Sequence, residues 1–275
     1  MSENKRKSQG RDRQRRRFKC DGTRIQSTTI SGPSVWVTCV RGKEKQAIGE
    51  LYDLFDQVSA ELWPIEDDGP ASASAAIGAG DTDDDDDDGD IEKQIAKEVT
   101  SMKRPRKEQR FGSCRTDTAC FVVISCKDPV DPVQLVIKHV SNVMSSGVTQ
   151  TRYVQRLTPA SVTCPTNLPE MKALCTRLLE PFLKAEDGQT FSYKIELRTR
   201  NHNTLSRNQI IDELAKCVPL EHKVDLKNPD VFILIEIFKS VCGMSIVRDY
   251  YRLQKFNVME IAKTEEPGTT MQRTT

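Results

Sequence analysis

The sequence has no apolar run long enough to cross a bilayer; the longest, around VFILIEIF (231–238), is strand-sized. The N-terminus is polar and basic with no apolar stretch, so neither a membrane span nor a signal peptide is expected. Histidine is scarce: the three are His139, His202 and His222. The nine cysteines include no C-x-x-C pair and none has a histidine at ligand spacing, which argues against a zinc site. Several lie inside apolar runs, such as Cys39 in VWVTCV and Cys175 in MKALCTRLL, as reduced, buried thiols of an intracellular protein do. Phosphate and nucleophile signatures are missing too. There is no G-x-x-x-x-G-K-[ST] loop, no G-x-G-x-x-G after a strand, no G-x-S-x-G elbow and no H-E-x-x-H helix. No catalytic residue, metal, cofactor or small-molecule substrate is therefore expected, and nothing favours a Cys–His nucleophile pair.

What is present is charge, arranged in blocks. The net charge of +1 hides a segment from Lys5 to Lys19 with nine Lys or Arg against one Asp. Such a block self-repels and buries little, so residues 1–31 are expected to be a disordered basic tail suited to nuclear import or to loose contact with a polyanion. Residues 66–90 are an acidic insert with six consecutive aspartates, Asp83–Asp88. Poly-Asp lacks the turn and backbone ligands of a calcium loop, so this segment reads as a solvated, disordered loop. A short amphipathic helix, DIEKQIAKEVTSMKR, is expected after it.

Between and after these blocks the pattern is structural. SVWVTCV reads as a strand and KEKQAIGELYDLFDQVSAEL as a helix, with Ile48, Leu51, Phe55, Val58 and Leu62 at helical spacing. ACFVVISC is a buried strand with RFGSCRT as its hairpin partner. DPVQLVIKHVSNVMSS is a helix with Pro132 in its first turn and Val133, Ile137, Val140 and Met144 on one face; TRYVQRLTPASV is extended. Strand, helix, two strands, helix, strand is the order of a ferredoxin-like module. The second half reads LPEMKALCTRLLEPF as a helix that Pro181 ends or kinks, TFSYKIELRTR as a strand, SRNQIIDELAKCV as a helix, and VFILIEIF with VCGMSIV as a hairpin. The fold class expected is α+β. A seam at 150/151 divides the first module (32–150) from a second (151–260), with a disordered tail at 261–275.

The stretch KIELRTRNHNTLSRNQI (194–210) concentrates the polar variety of the second half. By the two-residue period of a strand, Phe191, Tyr193, Ile195 and Leu197 share one face. Lys194, Glu196, Arg198 and Arg200 share the other. Ser206 and Gln209 stand at capping-box spacing, and Arg207 opens the helix, where a cation is unfavourable unless an anion is bound. Guanidinium forks, amide side chains and a helix N-terminus suit phosphate. A solvated arginine face with Glu196 as its local partner fits the composition equally. Either way, Arg198 and Arg200 are expected to be dispensable for folding.

The run FSYKIELRTRNHNTLSRNQIIDELAKCV followed by HKVDLKNPDVFILIEIFKSVCGMSIV resembles a THUMP domain, a module of RNA-modifying enzymes. The layout over residues 34–260, acidic insert included, is similar to the THUMP domain-containing adaptors of tRNA acetylation, which carry a ferredoxin-like module and a THUMP domain without a catalytic domain. The resemblance implies a non-enzymatic protein, located in the nucleus and nucleolus and open to the cytoplasm. It would bind tRNA, serine and leucine tRNAs by family analogy, and present it to an RNA cytidine acetyltransferase for N4-acetylcytidine formation in the D-arm. The implied contacts are Lys194, Arg198, Arg200, Asn201, His202 and Arg207. Lys223, Lys227 and Lys239 lie in or beside matching segments; Arg104, Arg106, Lys107 and Arg110 would extend the positive track into the first module. Few aromatics lie near the joint, so stacking is secondary. The alternatives are an RNA-modifying enzyme with an unseen active site and a general RNA-binding scaffold.

Overall fold

A computed structural model describes residues 26–27, 29–64, 109–185 and 189–264. The helix expected after the acidic insert, the insert itself, Arg104, Arg106, Lys107 and most of both tails lie outside the described residues.

The elements follow in the order β1 (Gln26–Ser27), β2 (Ser34–Cys39), α1 (Glu44–Leu62), β3 (Phe111–Cys114), β4 (Phe121–Cys126), α2 (Pro132–Ser146) and β5 (Val154–Ala160). The second half gives β6 (Val162–Pro165), α3 (Leu168–Ala185), β7 (Ser192–Arg200), α4 (Arg207–Ala215), β8 (Lys223–Val224), β9 (Val231–Phe238) and β10 (Val241–Val247), then a 3₁₀ turn (Gln254–Phe256) and α5 (Val258–Thr264).

They build two five-stranded sheets, in the orders β1-β3-β4-β2-β5 and β6-β10-β9-β7-β8. In the first, β2 runs antiparallel to both β4 and β5, and β3 antiparallel to β4. Alternation along β2 and β4 sends Val35, Val37, Val122 and Ile124 into a core with Leu51, Phe55 and Val58 of α1 and Leu135, Val136, Val140 and Val143 of α2. The expected face of α2 is rotated. Ile137 is exposed, and the buried row is Val136, His139, Val140 and Val143, an i, i+3, i+4, i+7 stripe that placed histidine in the core. Asp131 caps this helix by accepting from the Val133 N–H, and Gly147, at φ 68°, ends it in the left-handed conformation that glycine adopts without strain.

In the second sheet β9 is central, parallel to β7 and antiparallel to β10. Its odd residues Val231, Ile233, Ile235 and Ile237 meet Tyr193, Ile195 and Leu197 of β7 and the inner faces of α3 and α4. Its even residues turn the other way. Phe232 and Leu234 join the first core, and Phe238 packs with Trp36 and Phe121. Burial on both faces explains why this strand reads as a continuous apolar run. α3 continues to Ala185 through Pro181; Met171, Leu174, Cys175 and Leu179 are buried, and Leu178 and Phe182 pack against the same core partly exposed.

The chain changes sheet at Ser161, whose N–H donates to the Met244 carbonyl at 2.9 Å. β5, the last strand of the ferredoxin-like order expected from sequence, pairs with β2 from Val154 to Ala160, so the first sheet runs past residue 150. The end of the second module also returns: Tyr250, Leu253, Phe256, Val258 and Ile261 complete the first core. Residues 261–264, assigned to the tail from sequence, finish α5. Close approach across the junction depends on Gly243, where a Cβ would stand 2.9 Å from both Ala160 Cβ and Trp36 Cζ2.

Candidate nucleic-acid interface

β7 and β9 are parallel with Arg200 beside Phe238, so the loop after β7 and the turn after β9 emerge at the same end of the sheet. Five of the expected contact residues, Arg200, Asn201, His202, Arg207 and Lys239, gather there. Asn201 is exposed at φ 52°, a left-handed conformation that asparagine tolerates better than most residues. His202 is fixed by two backbone partners: its Nδ1 lies 2.9 Å from the Lys239 carbonyl, and its Nε2 accepts from the Leu205 N–H at 3.2 Å. That pairing requires the neutral tautomer with the proton on Nδ1. Ser206 caps α4 by accepting from the Gln209 N–H at 3.3 Å. Arg207 leans back to donate from Nη1 to the Leu197 carbonyl at 2.6 Å, which gives this helix-opening cation a partner within the protein.

The first module completes this end through the loop between β3 and β4. Lys239, in the turn between β9 and β10, reaches across to donate from Nζ to the Thr116 carbonyl at 2.8 Å. Arg200 crosses too, its guanidinium 5.1 Å from the centre of the Phe121 ring. Its Nε donates to Glu236 Oε1 at 2.9 Å, and Glu236 is only 4% exposed. Arg200 is therefore a structural partner as well as a candidate contact, against the expectation that the fold could spare it. Arg198, on the same face of β7, is half-buried and has no hydrogen bond or ion pair among the described residues.

The remaining candidates lie elsewhere. Lys194 faces the C-terminal segment. Its Nζ donates to the Leu226 carbonyl and the Tyr251 hydroxyl, and it sits 3.9 Å from Glu196. Lys223 and Lys227 are exposed beside the start of β7, where β8 pairs with Ser192 and Tyr193. At ~3.3 Å per residue they stand roughly 26 Å from Arg200 along the strand. The turn between them is held by Asp225, which accepts from the N–H groups of Asn228 and Lys227. Those bonds, Asn228 foremost, keep the Asp225 carboxyl below its usual range. Arg110 is used inside the first module: its Nη1 donates to the carbonyls of Ser59 and Trp63 at the end of α1.

Two clefts flank the 115–119 loop. One, of about 580 Å³, is lined by Arg41, Glu44, Lys45, Arg115 and Thr118. The other, of about 630 Å³, lies between the modules and is lined by Arg115, Thr163, Phe238, Lys239 and Ser240. Arg41 and Lys45 thus lie beside the rim, and Arg115 is paired there with Asp117 at 2.7 Å; these residues are scattered in sequence and only the fold collects them. The rim offers guanidinium and ammonium donors, amides and a capped helix start. Groups of those kinds suit a phosphate backbone.

Comparison with known proteins places this geometry. Residues 165–247 match the model of the THUMP domain. The chain is 30% identical to tRNA acetyltransferase TAN1 of Saccharomyces cerevisiae over 286 residues, covering 95% of each chain. It is 30% identical to THUMP domain-containing protein 1 of Bos taurus, covering 90% of this chain and 68% of that protein. Among solved structures, the solution structure of the THUMP domain of THUMP domain-containing protein 1 aligns at 37% identity and a TM-score of 0.25, over 28% of this chain and 81% of that one.

Proposed function

The chain belongs to the family of THUMP domain-containing protein 1 and tRNA acetyltransferase TAN1, and from that premise we propose that it is a non-catalytic tRNA-binding adaptor. It presents tRNA, serine and leucine tRNAs by family analogy, to an RNA cytidine acetyltransferase that forms N4-acetylcytidine in the D-arm. The THUMP domain and the name of the yeast relative, tRNA acetyltransferase TAN1, support a role in tRNA binding and modification. The observation that carries the finer reading is the rim at the end of β7. It collects positive side chains from both modules around backbone-fixed polar groups and has the makings of a grip rather than of a reaction centre. The order β3-β4-β2-β5 with α1 and α2 supports a ferredoxin-like module at the front. The basic segment Lys5–Lys19 suits a nuclear and nucleolar protein.

The second reading is an enzyme in its own right, favoured by the name that the yeast relative bears. The purified protein is incubated with tRNA, acetyl-CoA and ATP, with and without the RNA cytidine acetyltransferase. The adaptor reading expects acetylated cytidine only in the complete mixture. Product from this protein alone overturns it. A general scaffold is separated by tRNA binding at two salt concentrations, since several phosphate contacts make affinity fall steeply with salt.

A further inference from the structure

We propose that Arg156 of the first module and Arg198 of the second form a phosphate site at the seam between them, which takes one phosphodiester group of the bound tRNA. This rests on the tRNA-binding reading and extends it to a residue outside every motif in the sequence.

Arg156 lies on β5 opposite Thr38 and forms an isolated bridge with Asn257, so its backbone is fixed between the first sheet and the returning C-terminal segment. Its side chain is half-buried, and its Nε is shut off from solvent with no hydrogen-bond partner among the described residues. Burial, and next the charge of Arg198, hold its guanidinium below the usual arginine range, with Glu236 acting the other way and Arg200 adding the least. The counter-charges are few. On this face of the second sheet Glu236 gives its Oε1 to Arg200 and leaves Oε2 without a partner. Glu196, the other carboxylate, accepts from the Tyr251 hydroxyl and pairs with Lys194. Tyr250 sits close to both Arg156 and Arg198, but burial pushes its hydroxyl up to about 12, so it stays neutral and offsets nothing. Three guanidiniums thus face one carboxylate that is bonded to Arg200. Arg156 shares the face of β5 with Thr158, which stands opposite Trp36, and Arg198 lies on the face of β7 that sends Arg200 to Phe121, so the two arginines sit on opposite sides of the seam, with no hydrogen bond or ion pair among the described residues.

Glu236 stands beside Arg198 in the sheet, but one carboxylate already bonded to Arg200 leaves the two half-buried guanidiniums short of counter-charge. A phosphate supplies it. Each guanidinium offers parallel N–H donors that match two phosphate oxygens, and partial burial makes the attraction stronger than at an open surface. Because one arginine comes from each module, a single phosphodiester would tie both modules to the same RNA. The site also lies on the face of β7 whose next residue, Arg200, points to the rim.

The test uses the full-length protein and two variants, Arg156→Met and Arg198→Met, with tRNA affinity measured by filter binding across a salt series and the thermal midpoint measured in parallel. Each variant is expected to lose about tenfold in affinity, and the slope of log affinity against log salt is expected to become shallower by about one phosphate's worth, roughly 0.9. The double variant should lose little more than either single one, since both hold the same group. The thermal midpoint should stay level or rise, because the uncompensated charge and the orphaned Nε are removed. Unchanged affinity and slope in both variants, with normal wild-type binding, overturn this proposal alone. Affinity loss that tracks a falling midpoint overturns it in favour of a structural pair. Protection of the wild type by inorganic phosphate, lost in the variants while tRNA binding is intact, overturns it in favour of a free-anion site. A wild-type protein that does not bind tRNA overturns the tRNA-binding reading and this one with it.

Discussion

Arg200→Ala is the substitution that most sharply separates gripping from holding. The side chain is 31% exposed, while the Glu236 carboxylate that it serves is 4% exposed and has no other hydrogen bond among the described residues. Removing one partner of a fully buried pair costs about 3–5 kcal/mol, most of it the burden of leaving a charge alone in the interior. Solvent reaches Arg200, so the pair's share is nearer 2 kcal/mol, and the lost contact with the Phe121 ring adds about 0.5–1 kcal/mol. At about 2–4 °C per kcal/mol for a chain of this size, the thermal midpoint should fall by roughly 5–10 °C. The companion variant Arg200→Met/Glu236→Leu removes both charges and should recover most of that loss, because a buried pair replaced by apolar groups of similar volume is close to neutral. Scanning fluorimetry reads the stability and filter binding reads tRNA. The double variant should be stable and still bind tRNA weakly. Two results refute the reasoning: an unchanged midpoint for Arg200→Ala, or a double variant as unstable as the single one.

Burial lowers the His139 pKa to about 4 from an ordinary 6.5, and neither ring nitrogen has a partner among the described residues. Only the unfolded chain then protonates this ring between those values, so stability should be full above pH 6.5 and fall by up to about 3 kcal/mol as the pH drops to 4; His139→Leu should flatten that part of a denaturant-midpoint profile against pH. Gly243→Ala would put a methyl group 2.9 Å from Ala160 Cβ and from Trp36, so a loss of about 1–3 kcal/mol is expected in urea unfolding, with the junction between the sheets as its source.

The local reading of the sequence reached the elements because their causes are local. Alternation placed Tyr193, Ile195 and Leu197 inward, and Ser206 does cap α4. It failed where a distant segment decides. Ile137 and His139 lie two positions apart on one helix, and either face of it could have met the core. What selected the histidine face was the packing of β5 and α5 against α2, and α5 was invisible beside the polar tail. Of the two effects expected of Pro181, ending or kinking the helix, the first does not occur: α3 runs past it to Ala185. The change of sheet is likewise set by distant partners. TRYVQRLTPASV is extended on either side of Ser161, and only its pairing with β2 on one side and β10 on the other shows where the sheet changes.

The site shows the same division with a consequence for how the protein works. Charge runs such as Lys5–Lys19 and the 194–207 stretch are conspicuous in sequence, but the side chains that span the modules are not. Arg200 reaches Phe121, and Lys239 reaches the Thr116 carbonyl. Candidate contacts for RNA are therefore also fastenings between the two sheets. A phosphate that draws Lys239 away from Thr116 must replace a bond between the modules, and one held by Arg156 and Arg198 would add a bond where none exists. RNA binding and the setting of the modules are then linked. By reciprocity, any change that loosens the junction, Gly243→Ala included, should weaken tRNA binding by the factor to which bound tRNA would have stiffened it. The measure is the rise in thermal midpoint on adding tRNA, which should be larger for the loosened variant than its lower affinity alone predicts if RNA re-forms the junction. A rise no larger than that affinity predicts would show the two functions of these residues to be independent.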